Sequence, residues 1–218
     1  MKLLVVNPNT TVAVTELLAR RIGATVGATV EVESITARFG AAYIASEASY
    51  VVAAHAALDA CREHCDAHGR PDAIIVGCFG DPGVFALREA FALPVVGLAE
   101  AAMREAASHG RFAIVTGGTA WGPMLVRLAR ALDLADRLAA VSIVAATGAE
   151  LAADPERAIA TLTEACLGAA QGVDAVVLGG AALAGMADAI VSAAGPRLAV
   201  PLVDSVDAAA RAALAGLR

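Results

Sequence analysis

The sequence predicts an α/β protein made of two doubly wound parallel-sheet lobes, related by a pseudo-two-fold, with a ligand cleft between them. Two observations carry this. Short apolar runs such as Ile74 to Val76 and Ala175 to Leu178 alternate with segments whose apolar residues recur at helical spacing. The pattern also repeats. Asp72-Ala73-Ile74-Ile75-Val76-Gly77-Cys78 aligns with Asp174-Ala175-Val176-Val177-Leu178-Gly179-Gly180, and Pro94-Val95-Val96 with Pro201-Leu202-Val203. Four strand-and-helix units per half give two sheets, and ligands of such sheets bind beyond the strand carboxyl ends. The first lobe is expected over 1–97, with the C-terminal helix 204–218 able to complete it, and the second over 98–203.

In chain order, Leu3 to Val6 is a strand, Asn7-Pro8-Asn9-Thr10-Thr11 a polar turn and Val12 to Ile22 a helix. Val30 to Ile35 is a second strand, and a loop holding Phe39, Gly40 and Tyr43 leads to a long helix from Glu47 to His68. The strand Ile74 to Val76 ends at Gly77. Asp81-Pro82 has the form of an N-cap followed by proline at the first helical position, ahead of the helical run Val84 to Phe91. Val95-Val96 leads into a helix from Ala99 to Ser108. The second half follows with a strand at Phe112 to Val115, a helix through Leu125 to Leu132 and a strand at Val141 to Val144. Asp154-Pro155 then starts a helix ending near Gln171, before the strand Ala175 to Leu178.

Composition narrows the function. Sixteen Lys+Arg against 22 Asp+Glu give a net charge of -6 without a basic run, which argues against a nucleic-acid partner. Mean hydropathy is high at +0.68, yet no uninterrupted apolar span has the length of a bilayer crossing, so no membrane partner is expected. The opening Met1-Lys2-Leu3-Leu4-Val5-Val6-Asn7 has the pattern of a first strand rather than a signal peptide, and a cytoplasmic protein is expected. Cys61, Cys65, Cys78 and Cys166 show no disulfide framework. Cys61, His64, Cys65 and His68 share a helix face. The apolar stripe Val51, Ala54, Leu58, Cys61, Cys65 turns the cysteines inward, so no metal is expected. A homo-oligomer is compatible with all of this.

The chemistry centres on Cys78. It lies at a strand's carboxyl end and, on the Asp81-Pro82 reading, beside a helix N-terminus, which would favour its thiolate. The facing loops add Asn7, Asn9, Thr10, Thr116 and Thr119 as uncharged hydrogen-bonding groups. Gly80, Gly117, Gly118, Gly179 and Gly180 let a ligand approach backbone N–H groups. Neither G-x-x-x-x-G-K-[ST] nor G-x-G-x-x-G occurs, so no nucleotide cofactor is expected.

With the duplication and these motifs, the whole chain resembles the aspartate/glutamate/hydantoin racemase superfamily. The matching pieces are Val6-Asn7-Pro8-Asn9-Thr10-Thr11, Gly77-Cys78-Phe79-Gly80-Asp81-Pro82-Gly83 and Ala184-Gly185-Met186-Ala187. Of these, the run from Gly77 to Gly83 is most similar to the hydantoin and allantoin racemase branch. The resemblance implies a cofactor-independent isomerase for a small hydantoin, amino-acid-derived or dicarboxylate substrate, with Cys78 as acid/base. Phe79 and Gly80 N–H, Asn7, Thr116 and Thr119 would then be the substrate's donors. The chain departs from the family where a second cysteine is expected, at Leu178-Gly179-Gly180. Two alternatives therefore stand beside racemisation: a lyase resembling arylmalonate decarboxylase, with one cysteine protonating one face of an enolate, and a small-anion binding protein without turnover.

Overall fold

The computed structural model describes residues 1–146 and 148–216. In the first half, β1 (Lys2–Asn7), β2 (Glu31–Thr36), β3 (Ala73–Val76) and β4 (Val95–Gly97) form a parallel sheet in the order β2-β1-β3-β4. In the second, β5 (Phe112–Gly117), β6 (Leu138–Val144), β7 (Ala175–Gly179) and β8 (Leu202–Asp204) repeat it as β6-β5-β7-β8. The helices are α1 (Val12–Val26), α2 (Glu47–His68), α3 (Val84–Phe91), α4 (Leu98–His109), α5 (Trp121–Ala131), α6 (Gly148–Ala153), α7 (Pro155–Ala169), α8 (Ala187–Ala194) and α9 (Ser205–Gly216). Leu217 and Arg218 of the expected 204–218 helix lie outside the described residues.

The duplication extends to single hydrogen bonds. Asp72 and Asp174 each accept a backbone N–H at 2.7 Å, from Lys2 and Arg111 respectively. Leu3 pairs with Ala73, and Phe112 with Ala175. Superposing the repeats therefore sets Leu3 on Phe112, Asn7 on Thr116 and Asn9 on Gly118.

Alternation along the strands divides the core into three layers. Leu3, Val5, Ala73 and Ile75 of the first sheet and Phe112, Ile114, Ala175 and Val177 of the second face one shared central core, filled by α1, α4, α5 and α9. Leu4, Val6, Ile74 and Val76 face outward under α2 and α3. Val115, Val176 and Leu178 do the same under α6, α7 and α8. The lobes also exchange helices. Although α4 follows β4, it lies against β7 of the other sheet, and α9 packs on α1, β3 and β4 as well as on its own lobe. Arg21 on α1 ties α9 in place by donating to Asp207 at 2.7 Å.

Both exchanged helices start on a buried carboxylate. Asp81 is 1% exposed and accepts the N–H groups of Ala99 (2.8 Å) and Glu100 (2.7 Å), the first turn of α4. Asp204 does the same for α9, accepting from Val206 (2.8 Å) and Asp207 (3.3 Å), and it also accepts from Gly185 N–H at 3.1 Å. This corrects the reading of Asp81-Pro82. The residue capping α3 is Gly83, in the left-handed region at φ 82°, while Asp81, itself at φ 57°, serves a helix 17 residues further on. Asp154-Pro155 does obey the local rule, with Asp154 accepting Arg157 N–H at 3.2 Å.

Two expectations about stability follow from this pair of caps. A Cβ at Gly97 would stand 2.1 Å from the Asp81 carboxyl carbon, which the N–H groups of Ala99 and Glu100 hold in place. Gly97→Ala should cost about 2 kcal/mol or more in urea unfolding, mainly by displacing Asp81 from α4. Burial raises the Asp81 carboxyl to about 7 against the opposing pull of its N–H donors, and raises Asp204 also. The folded chain then binds protons that the unfolded chain has released between the ordinary carboxylate value and about pH 7, so stability falls as pH rises through that window. The melting temperature should be higher at pH 6 than at pH 8, and Asp81→Asn should flatten that slope whatever it does to the absolute value.

Candidate active site

The carboxyl ends of the two sheets meet at a cleft of about 520 Å³, its open mouth included. Asn9, Cys78, Phe79, Thr116, Gly117, Gly179 and Gly180 line it, so the structure brings together residues from the carboxyl ends of β1, β3, β5 and β7. Asn7, Thr10, Gly80 and Thr119 are not among the lining residues. Asn7 is fully buried and organises the first loop instead. Its amide donates to Asn9 Oδ1 (2.9 Å), Thr11 O (3.1 Å) and Thr15 Oγ1 (3.0 Å), and its oxygen accepts Asn9 N–H (3.1 Å). Asn9 Oδ1 also accepts Thr11 N–H at 2.9 Å, which leaves its Nδ2 as the donor it can offer a ligand. Thr10 gives its N–H to Ala41 O, and Thr119 is solvent-exposed beyond the rim.

The turn after β3 holds Cys78. Gly77 N–H returns to Val6 O at 2.8 Å and Asp81 N–H to Cys78 O at 3.1 Å, so the thiol sits at the head of a tight turn anchored by the Asp81 cap. Gly80 faces away from the cleft. Its N–H supports the Asp81 carboxylate, its carbonyl accepts the Tyr50 hydroxyl at 2.9 Å, and a Cβ there would lie 2.3 Å from the Trp121 ring. Cys78 is 7% exposed, and burial together with the neighbouring Asp81 charge pushes its thiol well above the usual cysteine range. The expected helix N-terminus does not stand beside it, because α3 starts at Val84 behind Gly83. That environment favours the protonated thiol, which is suited to giving a proton.

Across the cleft the second lobe offers backbone. Gly180 has φ 148° and donates its N–H to Ser205 Oγ at 3.4 Å, and a Cβ on it would press on Leu183 at 3.2 Å. Gly179 is covered by the Phe79 ring, which a Cβ would meet at 2.1 Å. A cysteine at either position would be strained or blocked, and the short 3-10 turn Ala181–Leu183 fills that wall with apolar atoms.

Among the lining residues that the sequence did not single out are Val14, Tyr43, Ile44 and Trp121. Tyr43 and Ile44 belong to the loop between β2 and α2, which carries no periodicity. It is fixed by Thr10 N–H to Ala41 O (3.2 Å) and Thr11 Oγ1 to Ala42 O (2.7 Å). Trp121, the sole tryptophan, opens α5 and bridges the lobes against Gly80 and Gly118. No Lys, Arg, His, Asp or Glu lines the cleft among the described residues.

The helix cluster of Cys61, His64, Cys65 and His68 stands elsewhere, on α2. His64 pairs with Glu33 at 2.8 Å, Cys61 is buried, and among the described residues no group of three or more His, Cys, Asp or Glu is placed to hold a metal ion. No helix among the described residues is long and apolar enough to cross a membrane.

Burial raises all four thiols, Cys61 and Cys166 to about 12, and Cys65 is the least buried of them. Iodoacetamide at pH 7.5 should therefore label Cys65 before Cys78, with Cys78 labelling rising steeply only at alkaline pH. Peptide mapping over a pH series checks this. Preferential labelling of Cys78 at neutral pH would show a thiolate that this environment does not favour.

The sequence matches the Asp/Glu/hydantoin racemase family over residues 3–213. It is 32% identical to hydantoin racemase of Paenarthrobacter aurescens over 216 residues, covering 98% of this chain and 89% of that protein. Allantoin racemase from Klebsiella pneumoniae superposes with a TM-score of 0.90 at 28% identity, covering 99% of this chain and 86% of that one. The corresponding enzyme of Pseudomonas fluorescens gives 0.89 at 30% identity, covering 99% and 90%. Family match, full-length identity and shared two-lobe architecture lead to one conclusion: the chain belongs to the Asp/Glu/hydantoin racemase family.

Proposed function

We propose that the protein is a cofactor-independent, cytoplasmic racemase-type isomerase acting on a neutral cyclic ureide of the hydantoin class. The observation that carries this reading is a cleft with a thiol at one wall and no charged side chain among its described lining residues. A dicarboxylate or free amino acid would bury one or more charges there without a partner, at a cost of several kcal/mol. A hydantoin brings a ring of N–H and C=O groups and no obligatory charge. Its C5–H is acidified by the adjacent carbonyl, so removing the proton needs only a well-placed base and a donor for the developing enolate oxygen.

Cys78 is the acid/base in this reading. Asn9 Nδ2, Thr116 Oγ1 and Phe79 N–H are the donors that bind the ring carbonyl and meet the growing negative charge at O4. Gly117 and Gly179 let the ring lie close to backbone, and Trp121 with Ile44 closes the apolar side and limits water. A substituent at C5 would occupy the region beside Ala181, Ala182 and Leu183, which favours small aliphatic groups.

A second reading rests on the thiol itself. Because Cys78 is held protonated and Gly180 supplies no partner, the site also suits a lyase in which Cys78 delivers one proton to one face of an enolate left by decarboxylation. The two readings separate on product.

Each enantiomer of a 5-alkyl hydantoin, incubated separately with the protein, should lose optical activity without a change in mass. Cys78→Ala should slow this interconversion by about 100-fold or more while shifting the melting temperature by only a few degrees. Undiminished racemisation by Cys78→Ala, or carbon dioxide release from an arylmalonate with no action on hydantoins, would displace the isomerase reading.

A further inference from the structure

A lone thiol can reach one face of C5, and interconversion of enantiomers needs a proton on the other. The cleft's described lining residues include two titratable side chains, Cys78 and Tyr43. We propose that Tyr43 is the second proton-transfer residue of the site, working across the cleft from Cys78 in place of a second cysteine. This rests on the hydantoin isomerase reading above.

Placement supports the assignment. Cys78 stands at the tip of β3 in the first sheet. Tyr43 starts from a first-lobe loop, but its hydroxyl reaches the tip of β5 in the second, where a Cβ built on Gly118 would lie only 3.1 Å from Tyr43 Oη. Gly118, at φ 91°, is the counterpart of Asn9 in the internal repeat. The second lobe thus has no side chain where the first lobe has a cleft-lining amide, and the tyrosine hydroxyl occupies that space. The loop is held on both sides of Tyr43. Ala41 and Ala42 accept hydrogen bonds from Thr10 and Thr11, and Ile44 is buried in the cleft wall. A group held this way keeps its position through a proton transfer, which the rate of such a step demands.

At rest the environment holds Cys78 as a thiol, and the reacting form of the pair is the minor one that has released one of its two protons to solvent. In one direction the Cys78 thiolate takes the C5 proton and the bonding electrons pass into the C4 carbonyl. Tyr43 then gives its O–H proton to the opposite face of C5 as the C4–O double bond re-forms. The pair ends as thiol and phenolate, which is the starting state for the reverse reaction. No electron leaves the substrate, and no co-reactant is consumed.

The test uses each enantiomer of a 5-alkyl hydantoin in heavy water, with C5 deuterium and configuration followed separately. Binding is checked by quenching of the sole tryptophan, Trp121. Wild type should exchange and invert both enantiomers. Tyr43→Phe should bind normally, lose inversion by about 100-fold or more, and keep C5 exchange with retention on one enantiomer only. Cys78→Ala should keep exchange on the other enantiomer. This reciprocal pattern is the supporting result. If wild type inverts hydantoins and Tyr43→Phe inverts them within about threefold of it, Tyr43 is not the second group while the isomerase reading stands. Equal loss of exchange on both enantiomers in a Tyr43→Phe protein that still binds also overturns the assignment, since a merely structural role would not discriminate faces. A wild type inert toward hydantoins removes the isomerase reading and this inference together.

Discussion

The Asp81 carboxylate, buried at the start of α4, is the interaction on which the rest depends. The Asp81 backbone N–H closes the turn that presents Cys78, while the side chain caps a helix belonging to the opposite layer of the core and crowds residue 97 down to glycine. Its desolvation is expensive, and the cost is offset by two short N–H donors and by the partial positive charge of the helix end. Glu100 would add repulsion on that same turn. Arg88 offsets it, bonding Glu100 at 2.7 Å and the Val95 carbonyl at 2.7 Å. Cys78 and the interlobe helix are thereby one mechanical unit, and movement between the lobes would be felt at the thiol.

Much of the fold was legible because its signals are local or repeated. Buried parallel strands appear as short β-branched runs, and the Asp72 and Asp174 repeats mark matching strand starts that the structure shows accepting matching N–H groups. Capping was legible only where it is local. Asp154-Pro155 and Asp81-Pro82 are the same dipeptide before similar helices, yet one carboxylate caps its own helix and the other a distant one. Nothing within a few residues distinguishes them, because the partner of Asp81 is chosen by tertiary packing. The reading of Cys78 as helix-activated fell with that cap.

The site was legible to the extent that strand tips predict it. Asn9, Cys78, Phe79, Thr116 and the glycines of the β5 and β7 tips do meet at one cleft. Asn7 and Thr119 share the residue types of Asn9 and Thr116, but a position two or three residues away is enough to turn one into the loop's own scaffold and the other outward. Tyr43 and Trp121 were invisible for a different reason. Each acts on the lobe opposite its own sheet, across a distance that sequence spacing does not encode. Burial also reversed an electrostatic expectation: removing water from the thiol outweighs any stabilisation of its anion, so the residue is held as an acid.

The two caps carry a consequence for how the halves can be recombined. In the first half the carboxylate comes from the turn and crosses over a glycine at the strand end, Asp81 over Gly97. In the second it comes from the strand end and meets a glycine in the turn, Asp204 against Gly185. Each half thus fills the same gap from the opposite bank. A tandem of two first halves, or of two second halves, keeps one carboxylate per gap and stays chemically consistent. Grafting only the strand end of one half into the other would put two buried carboxylates into a single gap, or leave a helix start with none. Turn and strand end are therefore coupled positions, and a symmetrised chain has two consistent solutions, each mixture costing a cap of about 0.5–2 kcal/mol or a second buried carboxylate.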